Sequence, residues 1–163
     1  MSSLVDFLKQ CDIFYQLTPT QLEMVAAICQ EKVFASGEYI IQENTHTKEL
    51  YMIVEGEVEV LVNPALVGKP EADAKPESAI ATLRRGQSFG EMALVDEGFR
   101  SASVRAVGKQ TRLIFIPREK LIMLCETYPN LGYRLMYNLA ADLAMKMRNL
   151  DLRIRENLLY NSR

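Results

Sequence analysis

The chain has 163 residues, 48% hydrophobic and 25% charged, with 8 Gly and 6 Pro, a composition that suits one globular domain and excludes collagen-like and disordered classes. Nineteen basic residues against 21 acidic leave a net charge of −2, whereas a dedicated nucleic-acid binder carries a basic surplus. No window approaches the roughly 18 apolar residues of a membrane span, and Asp6 and Lys9 fall where a signal peptide needs its apolar core.

Residues 1–30 read as helical. Leu4, Phe7, Leu8 and Cys11 recur at helical spacing, as do Leu22, Val25, Ala26 and Cys29. Between the two sets Thr18 suits an N-cap and Pro19 the first helical position, where its missing N–H is no loss. From Glu31 to Ile116 the pattern changes to short strands. Ala35-Ser36-Gly37-Glu38 predicts a turn between Val33-Phe34 and Tyr39-Ile40-Ile41. Leu50–Val54 and Val58–Val62 flank Glu55-Gly56-Glu57, which predicts a hairpin with Gly56 in the tight turn. Within the second strand Val58, Val60 and Val62 are assigned to the core face, and Glu57, Glu59 and Leu61 to solvent. Asn63 to Ser78, with three prolines and a glycine, is expected to be a long, mobile and dispensable hairpin loop. Strands resume at Ala79–Leu83, Ser103–Ala106 and Thr111–Ile116, and many short strands with regular turns favour a sandwich, barrel or jelly roll.

Residues 117–163 are helical again. Pro117–Leu121 starts a short helix that Tyr128-Pro129-Asn130 breaks. Leu131, Leu135, Leu139, Leu143, Met147, Leu150, Ile154 and Leu158 then mark one rod of roughly 45 Å, longer than a domain of this size covers alone. Its near-heptad stripe from Leu139 to Ile154 predicts a homodimer through this helix. Arg148, Arg153, Arg155 and Arg163 are interspersed with acidic residues and read as a solvated face rather than a DNA surface.

The stretch Gly86-Gln87-Ser88-Phe89-Gly90-Glu91-Met92-Ala93-Leu94-Val95, followed by Phe99-Arg100-Ser101-Ala102-Ser103, carries the chemistry. Gly90 ahead of a short apolar helical turn lets backbone N–H groups approach an anion closely. Arg100 offers a fixed fork of donors suited to phosphate, and Ser101 adds a hydroxyl or amide donor. Glu91 repels a phosphate but suits a hydroxyl attached to the same ligand, such as a ribose 2′-OH. The plainer reading of Arg100 is a surface ion pair with Asp96 or Glu97, worth ~0–1 kcal/mol.

The segment 89–103 resembles the phosphate-binding cassette of cyclic nucleotide-binding domains, found in catabolite-activator-type regulators, cyclic-nucleotide-dependent kinases and gated channels. Gly37-Glu38-x-Ile40-Ile41, Leu50-x-x-Ile53-x-x-Gly56-x-Val58-x-Val60 and Leu83-x-x-Gly86-x-x-Phe89-Gly90-Glu91 agree with it, so the resemblance runs from about Phe14 to Leu150. It implies a mainly β fold with flanking helices, an eight-stranded antiparallel jelly roll followed by a long C-terminal helix. It also implies a ligand site formed by Phe89, Gly90, Glu91, Met92, Ala93, Arg100, Ser101 and Ala102. There the arginine would pair with the cyclic phosphate and Glu91 with the ribose 2′-OH, and the middle of the last helix (Met145 to Asn149) would lie close to the base. Ser101 follows the arginine as in some bacterial cAMP sensors, which favours cAMP over cGMP. The sequence departs from the pattern at Phe99, where a proline often stands, leaving the loop less fixed, and in the acidic Asp96-Glu97-Gly98, which opposes an anion.

The expected function is therefore a stand-alone cytoplasmic cyclic nucleotide sensor, not an enzyme, with no cofactor beyond cAMP or cGMP and an unidentified downstream protein as its output. No Ser-His pairing or P-loop is present. Cys11, Cys29 and Cys125 show no metal or redox spacing and read as reduced thiols, and the single histidine, His46, reads as a loop residue. In related regulators a helix-turn-helix follows the long helix, but this chain stops at Arg163, so no DNA-reading helix is expected, and without an apolar window long enough to span a bilayer no membrane partner is expected either. The alternatives are a relative of such a regulator without its DNA-binding module, or a ligand-free jelly-roll scaffold.

Overall fold

The computed structural model describes residues 2–64, 76–96 and 98–161. The expected hairpin loop lies, over 65–75, outside the described residues. At the N-terminus, α1 (Ser2–Gln10) leads through a 3-10 turn (Asp12–Phe14) into α2 (Pro19–Ile28). The start of α2 is the predicted one and is sealed at both ends of a capping box. Thr18 Oγ1 accepts from Gln21 N at 3.2 Å, and Thr18 N donates to Gln21 Oε1 at 2.9 Å.

Among the described residues six strands follow: β1 (Gln30–Ala35), β2 (Tyr39–Ile41), β3 (Glu49–Val62), β4 (Ser78–Arg84), β5 (Ser88–Phe89) and β6 (Ser103–Pro117). All pairings are antiparallel, with β3 and β6 paired at the centre. The expectation of eight strands is corrected here, and so is the hairpin at Glu55-Gly56-Glu57. A glycine between two apolar runs signals a turn or a bulge equally well, and here it is a bulge inside one continuous strand. Around it β3 pairs Ile53 with Leu113, then Glu55 with Arg112 and Glu57 with Val107, so β6 spends extra residues where β3 bends. Gly56 has φ +88°, and a Cβ there would sit 2.6 Å from Gln110 O and 2.8 Å from Thr111 Oγ1. The buried Thr111 hydroxyl donates to Glu57 O at 3.0 Å and closes the bend.

Each long strand therefore serves two halves of a roll. One half contains β1, the C-terminal part of β6, the N-terminal part of β3, and β5. The other contains β2, the N-terminal part of β6, the C-terminal part of β3, and β4. Counting each half separately recovers the jelly-roll-like arrangement that the repeated turns suggest.

The run Leu50–Val54 is buried throughout because both of its faces are covered. Leu50, Met52 and Val54 point to the helices, packing with Leu8, Phe14, Val25, Leu121, Leu131 and Leu135. Tyr51 and Ile53 point into the roll with Phe34, Val58, Phe89, Val104 and Leu113. Farther along β3 the predicted face assignment holds for Val58 but not beyond Val60. At Val60 and Leu61 the ladder to β4 shifts register, with the extra residue on β4, and Leu61 is buried while Val62 is partly exposed.

After Pro117, α4 (Arg118–Thr127) and α5 (Pro129–Asn161) meet at the predicted break. Asn138 pins α5 to the N-terminal turn, donating to Ile13 O at 3.0 Å and Tyr15 O at 2.8 Å. Leu131, Leu135 and Leu139 are spent on the chain's own core, so Leu139 is not free for the expected dimer stripe. Past it, Met147, Leu150, Ile154 and Leu158 are exposed.

Candidate functional site

The cassette begins on β5, where Phe89 is buried and stacks on Tyr51 with ring centroids 5.1 Å apart and planes 7° from parallel. This pairing fixes the chain just before Gly90. Gly90 takes φ +81°, and a Cβ there would meet Glu49 O at 2.7 Å and Arg100 Nη1 at 2.9 Å. Only glycine allows the guanidinium to lie so close to the backbone. Glu91 occupies the N-cap position of the short α3 (Met92–Val95), and its own side chain makes no capping bond. Ala93 is buried beneath it and Met92 exposed.

Arg100 returns from the following loop and is 6% exposed. It is not a surface ion pair. Its Nε donates to Thr47 Oγ1 at 2.9 Å, Nη1 to Gly90 O at 3.0 Å and Nη2 to Glu49 O at 2.9 Å. The Glu49 carboxylate is the nearby counter-charge, at 3.6 Å. Burial pulls the guanidinium pKa below its ordinary value, opposed by Tyr51, Glu49 and Glu91. Burial likewise is the main cause that pushes the Tyr51 phenol up to about 12.

The loop that carries Arg100 is held by paired backbone bonds: Arg100 N to Thr45 O and Asn44 N to Arg100 O, both 2.9 Å. Phe99, expected to leave this loop loose, packs its ring on His46 with centroids 4.0 Å apart. The Phe99 ring is otherwise largely exposed, so the backbone bonds carry most of the loop's order. Ser101 is exposed, 3.8 Å from Met92 Sδ, and Ala102 is half-buried. The structure therefore brings Phe89, Gly90, Glu91 and Arg100 together around one buried cation. Met92 and Ser101 stand at the rim.

Sequence reasoning named neither Thr47 nor Glu49, and it placed Lys146 only within the Met145 to Asn149 stretch expected near the base. Lys146 of α5 lies against the cassette, with Nζ 2.6 Å from Glu91 Oε1, 2.8 Å from Asp142 Oδ2 and 2.9 Å from Ser88 O. Desolvation lowers the ammonium pKa, but Glu91 and Asp142 outweigh it and the net shift is upward. Asp142 and Lys146 stand four apart on the helix, a spacing that normally marks a solvated surface pair, so nothing in the sequence links them to Glu91. A separate cleft of about 410 Å³, lined by Tyr39, Glu43, Asn44, Glu77 and neighbours, has a carboxylate-bearing wall and suits an anion poorly. Among the described residues no cluster suited to a metal ion occurs, and no helix is long and apolar enough to cross a membrane.

Residues 31–128 match the family described as the cyclic nucleotide-binding domain. The chain belongs to that family. Relatives of this cyclic nucleotide-binding domain include the "Cyclic AMP receptor protein" of Thermus thermophilus, 32% identical over 147 residues, which make up 90% of this chain and 62% of that protein. The "cGMP-dependent protein kinase, isozyme 1" of Drosophila melanogaster is 28% identical over 115 residues, 71% of this chain and 14% of the kinase. The chain thus spans less than two thirds of either relative. Among solved structures, the Thermus thermophilus catabolite activator protein superposes with a TM-score of 0.71 at 30% identity, covering 88% of this chain and 62% of that one.

Proposed function

We propose that this cyclic nucleotide-binding domain is a sensor: it binds a cyclic nucleotide at the cassette, does no chemistry on it, and passes its occupancy to a partner through α5. The observation that carries the site assignment is the buried Arg100 guanidinium beside Gly90, with the Glu91 carboxylate on the next residue. A buried cation with unspent N–H donors matches a ligand whose only charge is one phosphate. Glu91 supplies an acceptor for a ribose hydroxyl, and Ser101 at the rim can donate to a phosphate oxygen. We assign cAMP over cGMP on Ser101, supported by the likeness to the cyclic AMP receptor protein.

The protein would act in the cytosol as a homodimer joined by the part of α5 beyond Leu139, whose Met147, Leu150, Ile154 and Leu158 are exposed. The unpaired thiols Cys11, Cys29 and Cys125 suit a reducing compartment. Calorimetric titration of cAMP and cGMP into the parent and Arg100→Ala tests the site. Binding of cAMP should be tighter than that of cGMP and should weaken at least about tenfold in the variant, about 1.4 kcal/mol. Equal affinities of the two proteins would remove the site from the cassette.

A further inference from the structure

Glu91 and Arg100, the groups assigned above to the ribose and the phosphate, come from the two ends of the cassette. We propose that Arg118, the first residue of α4, is a positioning residue that sets these ends against each other, so that the site meets its ligand already assembled. The inference rests on the cyclic nucleotide reading of the cassette and deepens it, from the groups that touch ligand to what holds them in place.

Arg118 is bonded to both ends at once. Its backbone N donates to Lys48 O at 2.9 Å. Lys48 stands between Thr47 and Glu49, whose Oγ1 and backbone O each accept from the Arg100 guanidinium at 2.9 Å. The Arg118 Nε donates to Leu94 O at 3.3 Å, near the C-terminal end of α3. Leu94 N in turn donates to Glu91 O at 3.0 Å, one turn back. A path of hydrogen bonds therefore runs from the strand that holds Arg100, through Arg118, to the residue that carries the ribose acceptor.

The two anchors differ in stiffness, which makes the side chain the critical part. Pro117 has φ −61° and forms the end rung of the β3–β6 ladder opposite Glu49, so the Arg118 backbone leaves a rigid element. On the other side α3 is a single turn of four residues, too short to hold its own shape. Leu94 is buried with Leu121 and Leu131, which fixes how deep that turn sits. Burial is non-directional, however. The bond from Arg118 to a carbonyl of the turn sets its rotation, and with it the direction of Glu91 and of Gly90 O, which accepts from Arg100 at 3.0 Å.

The test uses the full chain with Arg118→Met and Arg118→Gln. Glutamine places its Nε2 as far along the side chain as the arginine Nε and keeps a donor there, whereas methionine places a methyl group there. Both remove the charge, so their difference isolates the bond to Leu94 O. Rates are read by stopped flow with a cAMP derivative carrying a fluorescent group, and stability by urea unfolding. A site that must assemble before it binds loses association in proportion to its assembled fraction, while dissociation is unchanged. Arg118→Met should therefore associate at least about fivefold more slowly and dissociate within about twofold of the parent, and Arg118→Gln should associate within about twofold of the parent.

Equal slowing in both variants would assign the effect to the lost charge and overturn the positioning role. Faster dissociation with unchanged association would make Arg118 a ligand contact, and parental rates with a lowered urea midpoint would make it purely structural; each overturns the proposal and leaves the cassette reading standing. Should Arg118→Met not fold, Arg118→Gln decides alone, since slower association with the donor kept refutes the bond's role. A parent that binds neither cAMP nor cGMP would overturn the cassette reading and the proposal with it.

Discussion

Arg100 should be the most sensitive residue in the chain, for stability as well as for ligand. Each of its three nitrogens donates to a different oxygen: Thr47 Oγ1, Gly90 O and Glu49 O, all within 3.0 Å. Hydrogen bonds from a charged donor contribute about 1.5–3 kcal/mol each. They are not additive, and truncating one partner of a buried charged network destabilises by about 3–5 kcal/mol. Arg100→Ala should therefore lose about 3–5 kcal/mol in urea unfolding, since it leaves Gly90 O and Glu49 O without the donor that holds them. For a chain of this length the thermal midpoint should fall on the order of 10 °C. Arg100→Lys should recover less than about half, because one ammonium cannot reach three oxygens set around a planar fork. Binding has to be measured below the variant's transition, so that a lost ligand contact is separated from lost fold. A variant within about 1 kcal/mol of the parent would show that the three bonds do not hold the cassette. A variant that is destabilised yet binds cAMP like the parent would show that Arg100 is purely structural.

Three further outcomes follow from the geometry. Gly56→Ala should destabilise by at least about 2 kcal/mol, as its Cβ would strike Gln110 O and Thr111 in a left-handed conformation, whereas Gly37→Ala, with open space around it, should lose only about 1–2 kcal/mol in urea unfolding. Similar losses at both would deny the close approach at the β3 bend. Chiefly through burial, the Cys11 and Cys29 thiols are pushed from 9.0 up to about 12, so the folded chain keeps protons that the unfolded chain releases. Their contribution is complete below pH 9 and is lost as pH rises towards 12, at up to about 1.4 kcal/mol per pH unit for each thiol. Urea midpoints at pH 8, 10 and 11 should show that decline, and a Cys11→Ala/Cys29→Ala variant should show a shallower one. An unchanged slope would assign the alkaline loss to the other groups whose pKa the fold raises, Tyr51, Cys125, Tyr39 and Lys146. Leu150→Lys/Ile154→Lys should convert the proposed homodimer to a monomer in light scattering with the circular dichroism of the fold unchanged, because both residues lie outside the core, and should remove the dependence of the urea midpoint on protein concentration. A monomeric parent at high micromolar concentration would refute the dimer.

What the sequence made legible was local. The N-cap at Thr18, the turn at Gly37 and the break at Pro129 each depend on a few adjacent residues, and each stands where the residues put it. The apolar run Leu50–Val54 announced a strand, although only the fold reveals that both of its faces are covered. The errors came where one signal has two structural meanings. Gly56 between apolar runs fits a turn or a bulge, and the choice depends on Gln110 and Thr111, more than fifty residues away. Periodicity in α5 marked an apolar stripe but not where the core stops using it, because that depends on the breadth of the roll beneath. The same division runs through the site. The order Phe89-Gly90-Glu91 and Arg100 was readable in line, while Thr47, Glu49 and Lys146 reach it from elsewhere in the chain and carry no local mark.

On the proposed reading, ligand binding at this cassette adds partners to groups that are only partly committed. Arg100 has five N–H donors, and Thr47 Oγ1, Gly90 O and Glu49 O engage three of them, so a charged phosphate oxygen can be taken on the rest, in bonds roughly twice as strong as neutral ones. Glu91 can offer a ribose hydroxyl the carboxylate oxygen that Lys146 does not hold, a contact with a neutral partner and so the weaker of the two. The phosphate therefore drives occupancy and the ribose refines it. Glu91→Gln, which keeps an acceptor, should then lose less cAMP affinity than Arg100→Ala in the same calorimetric titration, and the reverse order would refute this division of roles.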